Sequence, residues 1–333
     1  MDDLFSDAAR QLLADLSTPD AVRAIEAGGP HQALWQAIED AGFADALVDE
    51  ASGGAGLGLS DVFGVLELCG SHGLPVPLGE TLLARGLLAA AGMARPSGSI
   101  VFADADTGIT AGVACPLVRN GRVADHVIVA RGDVLRLLPT AQANVAPAGF
   151  PLDAALQWVD AVWEAAPTVP GTAQALRTLQ ACVYAAQLSG ALMAVFQRTL
   201  AYANERQQFG RPIGKFQAIQ HQLSVMAEHA FAARMAAQIG CRSSTATPER
   251  LNVAIAKART SEAALEVAGL AHSIHGAIGF TAEFDLQLFT RRLHAWRQAA
   301  GSEACWHDVA GRMLLDSGDA LMLDQLRAAT DIH

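Results

Sequence analysis

The chain has 333 residues, 51% of them hydrophobic and only 6% aromatic, so its core must be filled mainly by Ala, Leu and Val, a composition that favours helix. With 34 acidic against 23 basic residues the formal net charge is −11, which argues against a phosphate-backbone binder and removes nucleic acid as a partner class.

From Leu4 to Met93 the pattern is that of short helices, broken at Thr18-Pro19, at Gly28-Gly29-Pro30 and along the glycine-rich stretch before Asp61. Ser60 or Asp61 is placed to cap the helix that follows. Glycines 53, 54, 56 and 58 lack the GxGxxG spacing of a dinucleotide turn and read as a connector. Between Ala94 and Pro170 the character changes. Runs rich in Val, Ile and Leu, bounded by Gly, Asp, Asn and Pro, predict strands in 99–108, 108–121, 125–139 and 155–162, and Asn120-Gly121 predicts a hairpin. Helix then returns in long pieces, from Thr172 to about Asn204, from Lys215 to Arg242 and from Glu249 to His275, with shorter ones over Glu283–Arg297 and from Ser302 onward. Long helices with short connections predict an antiparallel up-and-down bundle. The fold class is therefore mainly α with a small β domain, divided into an N-terminal helical domain (1–95), a β-domain (96–170) and a C-terminal bundle (171–333).

Thr178 to Gln197 runs without a formal charge for long enough to span a bilayer. It contains Gln180, Gln187, Ser189, Gly190 and Gln197 and lacks membrane-type flanks, so the expectation is a buried helix and no membrane. Cys69, Cys115, Cys182, Cys241 and Cys305 are far apart and odd in number, as buried free thiols of a reducing compartment are. The opening MDDLFSDAAR has no apolar signal core, and the two observations together predict a cytoplasmic protein. His272 and His275 lie three apart and His221 and His229 eight apart, with no carboxylate to complete a metal set, so no metal is expected. No HExxH, GxSxG or P-loop occurs.

One stretch looks selected for chemistry. Asn204 to Gln217, NERQQFGRPIGKFQ, places two arginines, a lysine, aromatic rings, two glycines and a proline between two alanine-rich helices. Arg206 at a helix end offers the fork of donors that a diphosphate needs, Phe209 an apolar face for a planar ring, and Gln217 a hydrogen bond from the next helix. Gly276 and Gly279 of HGAIGF permit close approach of backbone to a bulky ligand, and His275 inside that motif is placed to touch it.

RQQFG followed by FQAIQHQLSVMA resembles the signature of the acyl-CoA dehydrogenase family. GLGLSDVFGVLELCGSHGLPVPLGETLLA is similar to that family's N-terminal domain, and SIHGAIGFTAEFDLQLFTRR to its second flavin motif. The resemblance implies a helical N-terminal domain, a middle β-domain, here shortened, and a C-terminal four-helix bundle. It implies FAD, with Arg206, Phe209, Gln217, His275, Gly276, Gly279 and Ser302 as cofactor contacts that clamp the ADP half of a flavin held mainly by a neighbouring subunit. It also implies an acyl-CoA substrate, an oligomer, and electron transfer flavoprotein as acceptor.

The chain departs from that pattern where the chemistry is done. The family's glutamate base falls on Ala300 of AAGSE, and the alternative base position on the first long bundle helix falls on Gln180-Ala181. Glu303 is the carboxylate nearby, more suited to capping the last helix. The β-domain also lacks the family's strand motif for the isoalloxazine ring and thioester. The catalytic residues are therefore left unassigned. The resemblance implies a subunit for α,β-dehydrogenation of an acyl-CoA that lacks its own glutamate and completes the FAD site of a partner, like the short chains of heteromeric bacterial acyl-CoA dehydrogenases that oxidise fatty acyl or sterol side-chain thioesters. The alternatives are an autonomous homomeric dehydrogenase with Glu303 or another acid as base, and a non-enzymatic assembly subunit.

Overall fold

The glycines and prolines that punctuate the sequence are where the chain changes direction. The computed structural model describes residues 2–108 and 112–316, together with 321, 323, 324, 327 and 328; the last part of the expected third domain lies outside the described residues. The N-terminal helices are α1 (Asp2–Leu16), α2 (Pro19–Glu26), α3 (Gln32–Asp40), α4 (Leu59–Ser71) and α5 (Leu78–Ala90). Thr18 Oγ1 accepts the Ala21 N–H at 3.3 Å and Pro19 stands in the first turn, so α2 starts where the Thr-Pro pair predicts. At the head of α4 the Asp61 carboxylate reaches back to the Gly58 N–H at 2.7 Å, while the Ser60 hydroxyl donates instead to Ser243 O at 3.2 Å.

The strands are β1 (Ile100–Asp104), β2 (Val113–Val118), β3 (His126–Arg131), β4 (Val134–Pro139), β5 (Asn144–Pro147), β6 (Ala154–Trp158) and β7 (Thr168–Val169), with a short α6 (Asp160–Ala165) before the last. They form two sheets, ordered β1-β3-β4-β7 and β2-β6-β5, with β1 and β3 parallel and the remaining neighbours antiparallel. Val101, Cys115, Val127, Leu138, Leu156 and Trp158 form one buried cluster from both sheets. Asn120-Gly121 does turn, with Asn120 at φ 55°, but the hairpin expected there is absent, because β2 pairs with β6 and β3 with β1. The tight hairpin is β3–β4, where Arg131 faces Val134 across Gly132-Asp133 and Gly132 has φ 59°.

The long helices are α7 (Ala173–Glu205), α8 (Gln217–Gly240) and α9 (Arg250–His275), followed by α10 (Leu286–Gln298) and α11 (Glu303–Asp316). The architecture is mostly helical with a small β region, as expected from the sequence. The charge-poor window of α7 has a mean hydropathy of 1.5 and is 83% buried within the protein. Four cysteines are buried free thiols, but Cys305 is exposed, against the expectation that all five are buried.

The chain divides into two compact units. One comprises Met1–Val65, Leu74–Val183 and Ser243–Thr247; the other comprises Leu66–Gly73, Tyr184–Arg242 and Pro248–His333. Within the second unit, backbone meets backbone. A Cβ on Gly70 would stand 1.8 Å from Gln187 O, and one on Gly190 would stand 1.9 Å from Glu67 O, so the crossing is closed to any side chain larger than hydrogen. Glu67 also accepts from Arg234 Nε at 2.6 Å, tying α8 to the same point.

Within the first unit a buried carboxyl links α5, β1 and α7. Glu80 is 2% exposed; its Oε1 accepts from Gln180 Nε2 at 2.8 Å, and that amide also donates to Phe102 O at 3.1 Å. Next to it Thr81 Oγ1 both donates to Ile100 O and accepts from Ile100 N, so the start of α5 is bonded to the start of β1. Burial pushes the Glu80 pKa up to about 8 from an ordinary 4.5, with the Gln180 hydrogen bond opposing and the Asp153 charge adding. A carboxyl whose proton is held more tightly in the fold stabilises it fully below pH 4.5, and that contribution is lost as pH rises through about 8. Glu80→Gln is therefore expected to become progressively more stable relative to wild type across this window, by on the order of 4 kcal/mol at its upper end. Chemical denaturation of both proteins at several pH values measures this; a difference that does not change with pH would show that Glu80 is not the group responsible.

Candidate functional site

The chemically distinctive stretch folds as a tight hook after α7. Arg206 N–H still bonds to Tyr202 O at 2.8 Å; then Gln207-Gln208 pair with Arg211-Pro212 across Phe209-Gly210, and Ile213 N–H returns to Arg206 O at 2.8 Å. Phe209 and Gly210 both have positive φ, 52° and 78°, the backbone of a two-residue hairpin turn. For phenylalanine this conformation costs about 1 kcal/mol, and the ring is 91% exposed. Arg211 stacks over the Phe216 ring at 4.3 Å, and Phe209 meets the same ring edge-on at 6.1 Å. α8 starts at once, with Gln217 as its first residue.

Facing this hook is the end of α9. Gly276 breaks the helix with φ 64° and ψ −145°, and a 3-10 turn over Gly276–Phe280 follows. His275 is 4% exposed and stacks on Tyr202 with ring centroids 4.3 Å apart. Its Nδ1 lies 2.8 Å from Ala271 O, which can only accept, so Nδ1 carries the proton and Nε2 is left as a buried acceptor without a partner. Burial lowers the His275 pKa and, helped by the charges of His275 and His294, that of His272, so both rings are held neutral below the ordinary 6.5.

Between hook and helix end lies a cleft of about 590 Å³, lined by residues of 202–219 and 273–278. Of the residues singled out from the sequence, Arg206, Phe209, His275 and Gly276 line it. Among the described residues the Arg206 guanidinium has no hydrogen bond or ion pair, so it is a free cation at the cleft. Gln217 is exposed at the start of α8 and outside the lining. Gly279 is buried: a Cβ there would meet His275 Cβ at 3.0 Å and Leu286 Cδ2 at 3.2 Å. The protein's own side chains therefore crowd this position, a constraint the sequence reading did not include. A Cβ on Gly276 would meet nothing within 4 Å, so there the positive φ and not crowding selects glycine. Ser302 is also outside the lining; it precedes α11, and its carbonyl accepts the Trp306 N–H at 3.2 Å. Tyr202 was not foreseen, although its place four residues before Arg206 puts it on the same face of the last turn of α7.

Ala300 sits at φ 57° between α10 and α11. Burial alone would raise the Glu303 pKa, but the hydrogen bond and charge of Arg297 outweigh it and hold the carboxyl below its ordinary value, ionised and paired. That makes it a poor proton acceptor. Gln180 spends its amide on Glu80 and Phe102. The cleft itself offers one cation, aromatic faces and a neutral imidazole, which suits binding an anionic ligand with a planar ring.

Because His275 is held neutral in the fold, its contribution to stability is present above pH 6.5 and is lost as pH falls below that value. His275→Phe keeps the stack on Tyr202 and removes the titration. Thermal unfolding between about pH 7.5 and about pH 5.5 should show the variant gaining on wild type as pH falls. A constant offset would assign the acid sensitivity elsewhere.

Residues 171–315 match the family described as "Acyl-CoA dehydrogenase, C-terminal domain". Over 311 residues the chain is 33% identical to acyl-CoA dehydrogenase IpdE2 of Mycolicibacterium smegmatis, covering 90% of this chain and 94% of that relative. The fold superposes on the ChsE4-ChsE5 complex from Mycobacterium tuberculosis with a TM-score of 0.81 at 22% identity, over 96% of this chain and 98% of that one. It superposes on PigA with FAD and proline with a TM-score of 0.80 at 18% identity, over 95% and 98%. The chain belongs to the acyl-CoA dehydrogenase family, FAD-dependent oxidoreductases acting on CH–CH groups.

Proposed function

We propose that this chain is a subunit for α,β-dehydrogenation of an acyl-CoA thioester that lacks its own catalytic glutamate and completes the FAD site of a partner subunit. The observation that carries the reading is the cleft in which two motifs some sixty residues apart in sequence meet around the free Arg206 guanidinium. The fit to FAD rests on features of this chain. A fixed cation suits the diphosphate, Phe209 and the Tyr202–His275 stack suit a planar ring, and the partnerless His275 Nε2 can accept from an amine or hydroxyl. FAD, when bound, supplies the acceptor for the hydride leaving the substrate's β-carbon. This chain's part is to hold the ADP half. Gln217 and Ser302, outside the cleft lining, are assigned to the parts of the cofactor beyond it.

Removal of the α-proton is assigned to the partner, because Ala300 cannot accept a proton and Arg297 holds Glu303. The partner is a second acyl-CoA dehydrogenase chain, identical or different. The ChsE4-ChsE5 structure is itself a two-protein complex, which supports assembly of this kind. The division into 1–95, 96–170 and 171–333, a cytoplasmic location and electron transfer flavoprotein as acceptor belong to the same proposal.

Arg206→Ala is expected to weaken binding of FAD to the full chain by at least about tenfold, the loss of a charge-assisted contact, with the unfolding temperature little changed. Fluorescence titration measures it; unchanged affinity would remove Arg206 from the site. Full flavin occupancy and acyl-CoA turnover by the chain purified alone would overturn the division of labour.

A further inference from the structure

The turn between α10 and α11 is held by more side chains than a surface turn needs. Lys257, midway along α9, is wholly buried. Its Nζ donates to Ser261 Oγ at 2.9 Å, Arg297 O at 2.9 Å and Gly301 O at 3.0 Å. Trp306 Nε1 donates to Ala300 O at 3.0 Å, and Arg297 pairs with Glu303 across the turn. Inside this frame Ala300 is held at φ 57° and Gly301 at φ 108°. For alanine the left-handed conformation costs about 1 kcal/mol, and such residues persist where the surroundings over-determine them, typically at ligand clamps.

A helix can end without this apparatus. A glycine turn closes the last carbonyls with backbone alone and desolvates no charge. Bringing an ammonium from another helix into the interior is costly unless every proton is satisfied, and its gain over a glycine turn is a fixed geometry. The carbonyl of Arg297 lies in the last turn of α10, at the negative end of the helix dipole, so the cation is electrostatically suited to that place.

We propose that Lys257 is a positioning residue: its buried ammonium locks the Arg297–Gly301 turn in one conformation and so presents Ser302 and the amino end of α11 to the flavin. The inference rests on the reading of this chain as part of an FAD site. The alanine at position 300 then stands in a rigid frame and not in a loose surface loop.

The test uses the full chain as wild type, Lys257→Met and Trp306→Phe, with amide hydrogen exchange and FAD titration by fluorescence. The Ala299 and Gly301 amides, bonded to Trp296 O and Gln298 O, report on the turn directly. In Lys257→Met they are expected to exchange at least about tenfold faster, with α8 amides unchanged and FAD affinity reduced at least about fivefold. If that variant does not fold, Trp306→Phe, which removes the bond to Ala300 O and part of the buried ring, must show the same change to a smaller degree. Unchanged exchange at Ala299 and Gly301 in the variants that fold overturns the proposal. So does faster exchange with FAD affinity unchanged, since a merely structural lysine gives that result. A wild-type chain that binds no FAD defeats the functional reading instead, and the exchange data then still decide whether Lys257 locks the turn.

Discussion

Gly70 and Gly190 let two helices touch through their backbones, and the C-terminal half of α7 takes its position from that contact. An α-helix is a stiff rod rising about 1.5 Å per residue, so fixing α7 at Gly190 also fixes the direction in which its last turn emerges. Tyr202 and Arg206 stand on that turn. A methyl group at either glycine would have to push a carbonyl aside and would shift the cleft as well as the core. The anchoring of Glu67 by Arg234 brings α8, the other wall of the hook, to the same reference point.

The cleft and the α10–α11 turn show two ways in which this chain handles buried polarity. His275 is kept neutral by burial, against the opposing effect of its hydrogen bond to Ala271 O, which leaves Nε2 as an acceptor in the wall. Lys257 is met by three acceptors. Glu80 gives up its charge, since one amide from Gln180 cannot offset burial. Glu80 and Lys257 lie outside the cleft lining, and His275 within it presents an acceptor.

Much of this was legible from the residues. Gly and Pro breaks located the helices because those residues forbid helical continuation, and the Arg206–Gln217 stretch stood out because few folds need that mixture between alanine-rich helices. The misreadings have local causes. Asn120-Gly121 favours a tight turn but does not decide which strands pair afterward, whereas Gly132-Asp133, an equally short signal, closes the real hairpin. Gly279 was read only as room for a ligand, whereas His275 and Leu286 crowd the position as well. Glu80 and Lys257 passed unnoticed because a charged residue on a helix is normally a solvated one, and only tertiary packing shows otherwise. The exposure of Cys305 was hidden for the converse reason.

Phe209, 91% exposed and in a conformation that costs free energy, gains from its own chain little beyond the edge-on contact with Phe216. Its stabilisation must come from whatever closes over it. When that cover is a second protein and a cofactor together, the two association steps share one free energy: each tightens the other by the same factor. Flavin affinity then becomes a function of protein concentration, and dilution alone can release the cofactor without any change in the fold.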